Sequence, residues 1–290
     1  MEPYRIEFTI ANDSKHQGDI EAVACHQGKV YSGADDGIIK VWNETDLSYV
    51  TEVKAHESLV YALAVIGDSL YSACNDGTIK IWRLPSLEPG PTLTSHQEAV
   101  RRIRAMPSGD VISGDECGMM QVWSGENAKR GYEPIGEEIW DLVVDSEGFV
   151  YTARDRDISV WLLSEQSSFT QNKATFPGRA PMTIVNDNVY YMTRDGRTVE
   201  AVGTAKNKYA KIATMKGHNQ IVNCMTHTDK YLFTAGWDNH VRVWDLQTHK
   251  CYANVDAGVY INAMESNADG SAVFAGGANS LLVKITPVKK

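Results

Sequence analysis

Apolar and polar positions along this chain fall into short runs broken by glycine, asparagine and aspartate. That is the signature of half-buried strands separated by tight turns. Residues 59–82 show it plainly: "LVYALAV" (59–65), "SLYSAC" (69–74) and "TIKIW" (78–82) each read as a strand. Between them, "GD" and "NDG" are turns of the kind that favours positive φ and hairpins. A fourth strand is expected before the next such set, as in "SYVTEV" (48–53). Proline is expected mostly in connections, at Pro85, Pro89, Pro91, Pro107 and Pro177, because it cannot donate to a ladder.

The pattern repeats. Five stretches end in tryptophan: "YSGADDGIIKVW" (Trp42), "YSACNDGTIKIW" (Trp82), "ISGDECGMMQVW" (Trp123), "TARDRDISVW" (Trp161) and "FTAGWDNHVRVW" (Trp244). "YMTRDGRTVEA" puts Ala201 in that slot, and "FAGGANSLLVKI" puts Ile285 there. Successive slots lie 40, 41, 38, 40, 43 and 41 residues apart, so seven copies of one unit fill the chain.

A lone four-stranded sheet cannot bury both faces, whereas seven stacked about an axis can. The expected fold is therefore all-β, a single seven-bladed β-propeller over 1–290. Its blades are expected at about 16–53, 56–93, 96–133, 134–176, 177–215, 218–255 and 257–290. Too few residues follow Ile285 for a fourth strand in the last unit, and "YRIEFTIA" (4–11) alternates without a partner. The N-terminal strand is thus expected to complete the last blade. The long approach "SEQSSFTQNKATFPGRAP" (164–181) is expected to make blade five the softest.

Composition narrows the function. A net charge of −9 provides no broad basic footprint, which argues against nucleic acid as the main partner. Five widely spaced cysteines with no C-x-x-C pair argue against a disulfide framework and against zinc, and favour the cytoplasm or nucleus. The N-terminus does not read as a secretory signal, and no apolar run is long enough for a membrane span.

The repeat resembles the WD40 family of seven-bladed β-propellers, over the whole chain. Gly217-His218 and Trp244-Asp245 match its two marker dipeptides, and His16, His56, His96 and His218 precede their tryptophans by 26, 26, 27 and 26 residues. The resemblance implies hydrogen-bonded sets within blades: His16-Ser32-Asp36-Trp42, His56-Ser72-Asp76-Trp82 and His218-Thr234-Asp238-Trp244. Blade three would keep His96, Ser113 and Trp123 with Cys117 in the aspartate slot. Blade four would keep Asp155 and Trp161 without a histidine. These sets recur in structural phase, so they imply neither a hydrolase triad nor a metal site. The remaining histidines, His26, His227, His240 and His249, read as solvated surface.

The resemblance also implies three partner-facing positions per blade. Two tryptophans outside the structural slot, Trp140 and Trp237, fall on such positions. So do Tyr61, Tyr260, Arg101, Arg154, Arg194, Asp19, Glu21 and Asp35. The expected function is a non-catalytic scaffold that binds a protein or peptide, with no cofactor. The propeller is expected to be a monomer, alone or within a larger complex or longer protein. Short hairpins such as "ACHQGKVYSG" (24–33) look like those of propellers attached to ubiquitin ligases or kinases. Two rival readings are RNA or phosphoinositide binding through Arg101–Arg104, and a hydrolase built on Asp19, Glu21 and Asp35.

Overall fold

The computed structural model describes residues 3–288; the first two and last two residues of the expected domain lie outside the described residues. Among the described residues, twenty-eight strands form seven four-stranded antiparallel sheets. Strand β1 is Tyr4–Thr9. Blade one holds β2 (Ile20–His26), β3 (Lys29–Ala34), β4 (Ile38–Asn43) and β5 (Tyr49–Lys54). Blade two holds β6 (Val60–Ile66), β7 (Ser69–Cys74), β8 (Ile79–Arg83) and β9 (Glu88–Leu93). Blade three holds β10 (Val100–Ala105), β11 (Val111–Asp115), β12 (Met120–Ser124) and β13 (Asn127–Tyr132). Blade four holds β14 (Asp141–Val144), β15 (Val150–Ala153), β16 (Asp157–Leu163) and β17 (Thr170–Pro177). Blade five holds β18 (Arg179–Val185), β19 (Asn188–Met192), β20 (Thr198–Gly203) and β21 (Lys211–Lys216). Blade six holds β22 (Val222–His227), β23 (Tyr231–Gly236), β24 (His240–Asp245) and β25 (Cys251–Asp256). Blade seven is β26 (Ile261–Ser266), β27 (Val273–Gly277) and β28 (Leu282–Pro287), with β1 added outside β28.

The expected closing strand is therefore present. Tyr4 pairs with Pro287 and Thr9 with Val283, and Tyr4 is buried among Tyr231, Phe233 and Tyr252. All seven repeat slots, from Trp42 to Ile285, lie on the third strand of their blades. The only helices among the described residues are three 3-10 turns, and none is long and apolar enough to cross a membrane.

Two compact units emerge from the packing. The first comprises Met1–Leu63, Asp195–Val199 and Ala213–Lys290. Within it, Phe233, Val241, Val243, Ile261, Val273 and Val283 fill the space between blades six and seven. Ile20, Val30, Trp42, Phe274 and Leu282 do the same between blades seven and one. The second unit comprises Ala64–Arg194 and Glu200–Ile212. Ile112, Met120, Val122, Ile139 and Leu142 pack blade three against blade four. Tyr151, Ile158, Val160, Met182 and Tyr191 pack blade four against blade five.

Three details differ from the sequence reading. Pro89 and Pro91 lie inside β9 and Pro177 ends β17, so none of the three is in a connection. β9 is an outermost strand, where one side of the backbone needs no donor. Most of the stretch 164–181 is not a loose approach, since 170–177 is β17, the outer strand of blade four, and 179–181 opens β18. His26, His227, His240 and His249 are half-buried rather than solvated, and burial lowers the pKa of His227.

Candidate functional site

Bulges recur at two places in the blades. One falls on the tryptophan slot, between Val41 and Trp42, Val122 and Trp123, Val160 and Trp161, and Val243 and Trp244. The other falls near the start of the first strand. There the strand register skips Glu21, Arg101, Asn223 and Asn262 in blades one, three, six and seven. A bulge re-aims the side chain it carries. These four residues are thereby turned out of the regular in-and-out alternation.

The phased histidines hold polar chains together. In blade one, Trp42 Nε1–H donates to Ser32 Oγ at 2.9 Å, Ser32 lies 2.8 Å from His16 Nε2, and His16 Nδ1 lies 3.1 Å from both Asp36 oxygens. Blade six repeats this: Trp244 donates to Thr234 (2.8 Å), Thr234 meets His218 Nε2 (2.7 Å), and His218 Nδ1 meets Asp238 (2.8 Å). A neutral histidine satisfies such a chain, since the hydroxyl donates to Nε2 while Nδ1–H donates to the carboxylate. In blade two, Trp82 donates to Ser72 at 2.9 Å. In blade four, Trp161 donates to Thr152 at 2.8 Å. Blade three corrects the expected slot. His96 Nδ1 meets Asp115, at 2.7 Å, while Cys117 is exposed. Asp115 also accepts the Cys117 and Met119 amides at 3.0 and 2.9 Å, so it caps the turn as well.

These chains make stability depend on acid. Burial lowers the His218 pKa below its ordinary 6.5. Burial alone would raise Asp36 and Asp238, but histidine and backbone amides outweigh it, and Asp36 falls to about 2. In all three groups the unfolded chain binds the proton more readily. Their stabilisation is full above the unfolded pKa values and is lost as pH falls. Urea midpoints should drop first below about pH 6.5 as His218 is challenged, then more steeply from about pH 4 towards 2. A flat profile from pH 8 to 3 would contradict this account.

The loop end of the first unit carries the largest exposed ring of the set. Trp237 is 52% exposed, and its amide donates to Ile221 O at 2.8 Å. Gly236 makes that approach possible, because a Cβ there would lie 2.1 Å from Ile221 O and 2.6 Å from Val222 Cα. From Asn223, beside Trp237, a row of polar contacts runs across blades six, seven and one. Asn223 donates to Asn262 (3.3 Å), and Asn262 donates to Glu21 (2.7 Å). Tyr260, 39% exposed, donates to Asp19 at 2.6 Å, and Asp19 also accepts the Asn279 amide at 3.0 Å. Asp35 stands beside Asp19; burial raises its pKa, and the nearby Asp19 and Asp36 charges add to the rise. Among the described residues neither Asp19 nor Asp35 has a lysine or arginine ion pair. Tyr61, on β6, is half-buried.

The second unit's candidates are engaged with one another. Trp140 is half-buried, its indole N–H donates to Glu138 at 2.8 Å, and the Arg154 guanidinium lies 5.4 Å from its ring centre. Arg154 also pairs with Glu138 at 3.2 Å. Arg101 pairs with Glu116, and Arg194 donates to Asp157 at 2.6 Å and to Arg156 O at 2.7 Å. Arg102 and Arg104 both reach Asp141, at 2.9 and 3.6 Å. Sequence reasoning missed Asp141, Asp115 and Asn279, whose roles depend on neighbouring blades or on turn geometry.

Comparison with known proteins agrees with this architecture. The family model "WD domain, G-beta repeat" matches residues 9–43, 47–83 and 209–245. Zinc finger CCCH domain-containing protein 17 of Oryza sativa subsp. japonica is 32% identical over 164 residues, 55% of this chain and 37% of that protein. The 77 kDa echinoderm microtubule-associated protein of Strongylocentrotus purpuratus is 29% identical over 160 residues, 49% of this chain and 22% of that protein. The matches to these relatives thus span well under half of their length. A crystal structure of the WD40 β-propeller domain of Doa1 superposes with a TM-score of 0.84, covering 99% of this chain and 98% of that one. At 21% identity that likeness shows the fold. Three WD40 repeats matched in sequence, within seven blades that follow a solved WD40 propeller from end to end, give this chain the fold of a seven-bladed WD40 β-propeller.

Proposed function

We propose that this propeller is a non-catalytic scaffold whose docking face includes the Trp237 loop end of the first unit, and that it takes a protein segment bearing a basic residue. The observation that carries the reading is the exposed Trp237 indole on the loop end that also holds Asp19 and Asp35, neither of which has a lysine or arginine ion pair among the described residues. An exposed indole offers area, few rotamers and one donor, and such residues dominate interface energies. Asp19 and Asp35 supply the charge that a lysine or arginine would meet, with Tyr260 and Trp237 as aromatic faces for it. Relatives named for ribosome biogenesis, nuclear distribution and mitochondrial division share the repeat but not a task, as expected for a platform.

The ion pairs weigh against the rival readings. Arg101, Arg102 and Arg104 are each offset by Glu116 or Asp141, which reduces the field a phosphate would feel. Asp19 and Glu21 are occupied by Tyr260 and Asn262, a poor arrangement for activating water.

Trp237→Ala tests the proposal. The variant should keep its circular dichroism spectrum and melting temperature, because the ring is half in solvent. Affinity for a partner segment should fall about 30-fold or more, a loss of about 2 kcal/mol or more. Asp19→Asn with Asp35→Asn should weaken binding too, and the salt dependence should shrink. Retained partners in the folded Trp237→Ala protein would end the assignment of this face.

A further inference from the structure

β17 is the outermost strand of blade four and, at eight residues, the longest strand among the described residues. Its outer edge pairs with no other strand, and a row of unpaired amides and carbonyls is a template for another strand. Five of the six other outer strands carry features that discourage pairing. β9 contains Pro89 and Pro91, while β1, β5, β13 and β21 each carry two charged residues. β25 has only Asp256 but is six residues long. β17 has one charge, Lys173, and its one proline, Pro177, is its last residue, outside the span from Phe169 to Phe176; Phe169 just before it is 69% exposed, more than any other large hydrophobic side chain described.

With its bulge set aside, the strand is nearly its own mirror. From Phe169 to Phe176 it reads F-T-Q-N-K-A-T-F. Its pairing with β16 skips a residue, Asn172 facing Trp161 and Ala174 facing Val160, so Lys173 is the extra residue of a β-bulge. With Lys173 set aside, alternation puts Phe169, Gln171, Ala174 and Phe176 on one face. Thr170, Asn172 and Thr175 fall on the other. Turning the strand end for end about Asn172 lays Phe169 on Phe176, Thr170 on Thr175, Gln171 on Ala174 and Asn172 on itself. Each of these pairs shares a face, as antiparallel neighbours must.

We propose that this edge docks a second copy of the chain, by antiparallel pairing of β17 with β17 about a two-fold axis through Asn172. Such a contact uses one patch twice and closes on itself. Its phenylalanine and threonine pairs are favourable cross-strand combinations. Phe176 is already seated, 5.3 Å from Tyr191 and 5.9 Å from Tyr209, so an incoming Phe169 extends a fixed aromatic row. The contact is one strand deep, well below the roughly 1,200 Å² at which stable interfaces begin. The dimer is therefore weak and reversible, and the dilute chain is a monomer. The two Lys173 ammonium groups approach each other near the axis, so salt that screens them strengthens the dimer.

Sedimentation equilibrium from micromolar to near-millimolar protein reads this directly. The full chain should pass reversibly from one copy to two, at lower concentration in higher salt. Phe169→Asp and Gln171→Lys alter exposed side chains, so both should keep the native circular dichroism spectrum and stay monomeric throughout. A crosslink places the axis. With the exposed Cys117 and Cys251 changed to serine, Asn172→Cys should give a disulfide-linked dimer under mild oxidation, since self-paired residues lie about 4.5–5.5 Å apart at Cα. Asn127→Cys, on the outer strand of blade three, should not. A chain that stays monomeric over the whole range overturns the proposal. So does a dimer that survives both substitutions, or one that Asn172→Cys fails to link.

Discussion

A chain that begins at Asn12 should melt about 10 °C or more below the full chain, because blade seven then lacks its fourth strand. β1 pairs with β28 from Tyr4 to Thr9, and its removal leaves the β28 edge open. Tyr4 and Ile10 go with it, both about 95% buried. Fully burying such side chains stabilises by about 1.5–3 kcal/mol each, and each ladder hydrogen bond adds about 1 kcal/mol net. The expected loss is on the order of 5 kcal/mol, a large share of the 5–15 kcal/mol typical of a folded domain. The Tyr4 ring also sits edge-on to Tyr231, Phe233 and Tyr252, so near-ultraviolet circular dichroism should lose aromatic signal. Tyr4→Ala within the full chain should reproduce part of the loss, about 3 kcal/mol by analogy with large-to-small core changes. A truncated chain with the melting temperature of the full one would refute the role given to this strand.

How much of this could be read from the chain follows from which interactions are local. The tryptophan slots and the strands around them follow from residues within one repeat, and β7 occupies the stretch read for it, Ser69–Cys74. The closing strand was legible because "YRIEFT" had strand alternation and the last repeat had a gap. Asp115 was not, because Cys117 holds the register position of the usual carboxylate. The substitute comes from the end of β11, where the His96 ring reaches it. Trp140 and Trp237 occupy equivalent kinds of position, yet one packs under Arg154 against Glu138 and the other stands in solvent. That difference comes from which charges the neighbouring turns present, and a repeat period carries no information about it. β17 hides in the same way. Its serine-rich approach looks like a loop, and its mirror order becomes visible only once the bulge at Lys173 is located.

Asp141→Ala should be the most damaging single substitution in the second unit, costing about 3–5 kcal/mol. The Asp141 side chain is 2% exposed and gathers contacts from three blades. Arg102 Nε donates to its Oδ1 at 2.9 Å from blade three, as does its own neighbour Leu142 N at 2.9 Å. Its Oδ2 accepts Met182 N at 2.8 Å from blade five. Alanine leaves a guanidinium and a backbone amide without their acceptor in a largely enclosed place, and the missing partner costs more than the pair contributes. Asp141→Asn keeps the shape but replaces one acceptor oxygen by a donor that faces either Arg102 or the Met182 amide, so it should fall between alanine and wild type. Arg102→Met relieves the stranded charge. Combined with Asp141→Ala it should destabilise by less than the two single changes added together, and the difference is the coupling energy of the pair. Urea titrations of the four proteins measure this cycle. Strict additivity would mean that Asp141 acts through its backbone contacts alone and that the arginine run on β10 is held by something other than this carboxylate.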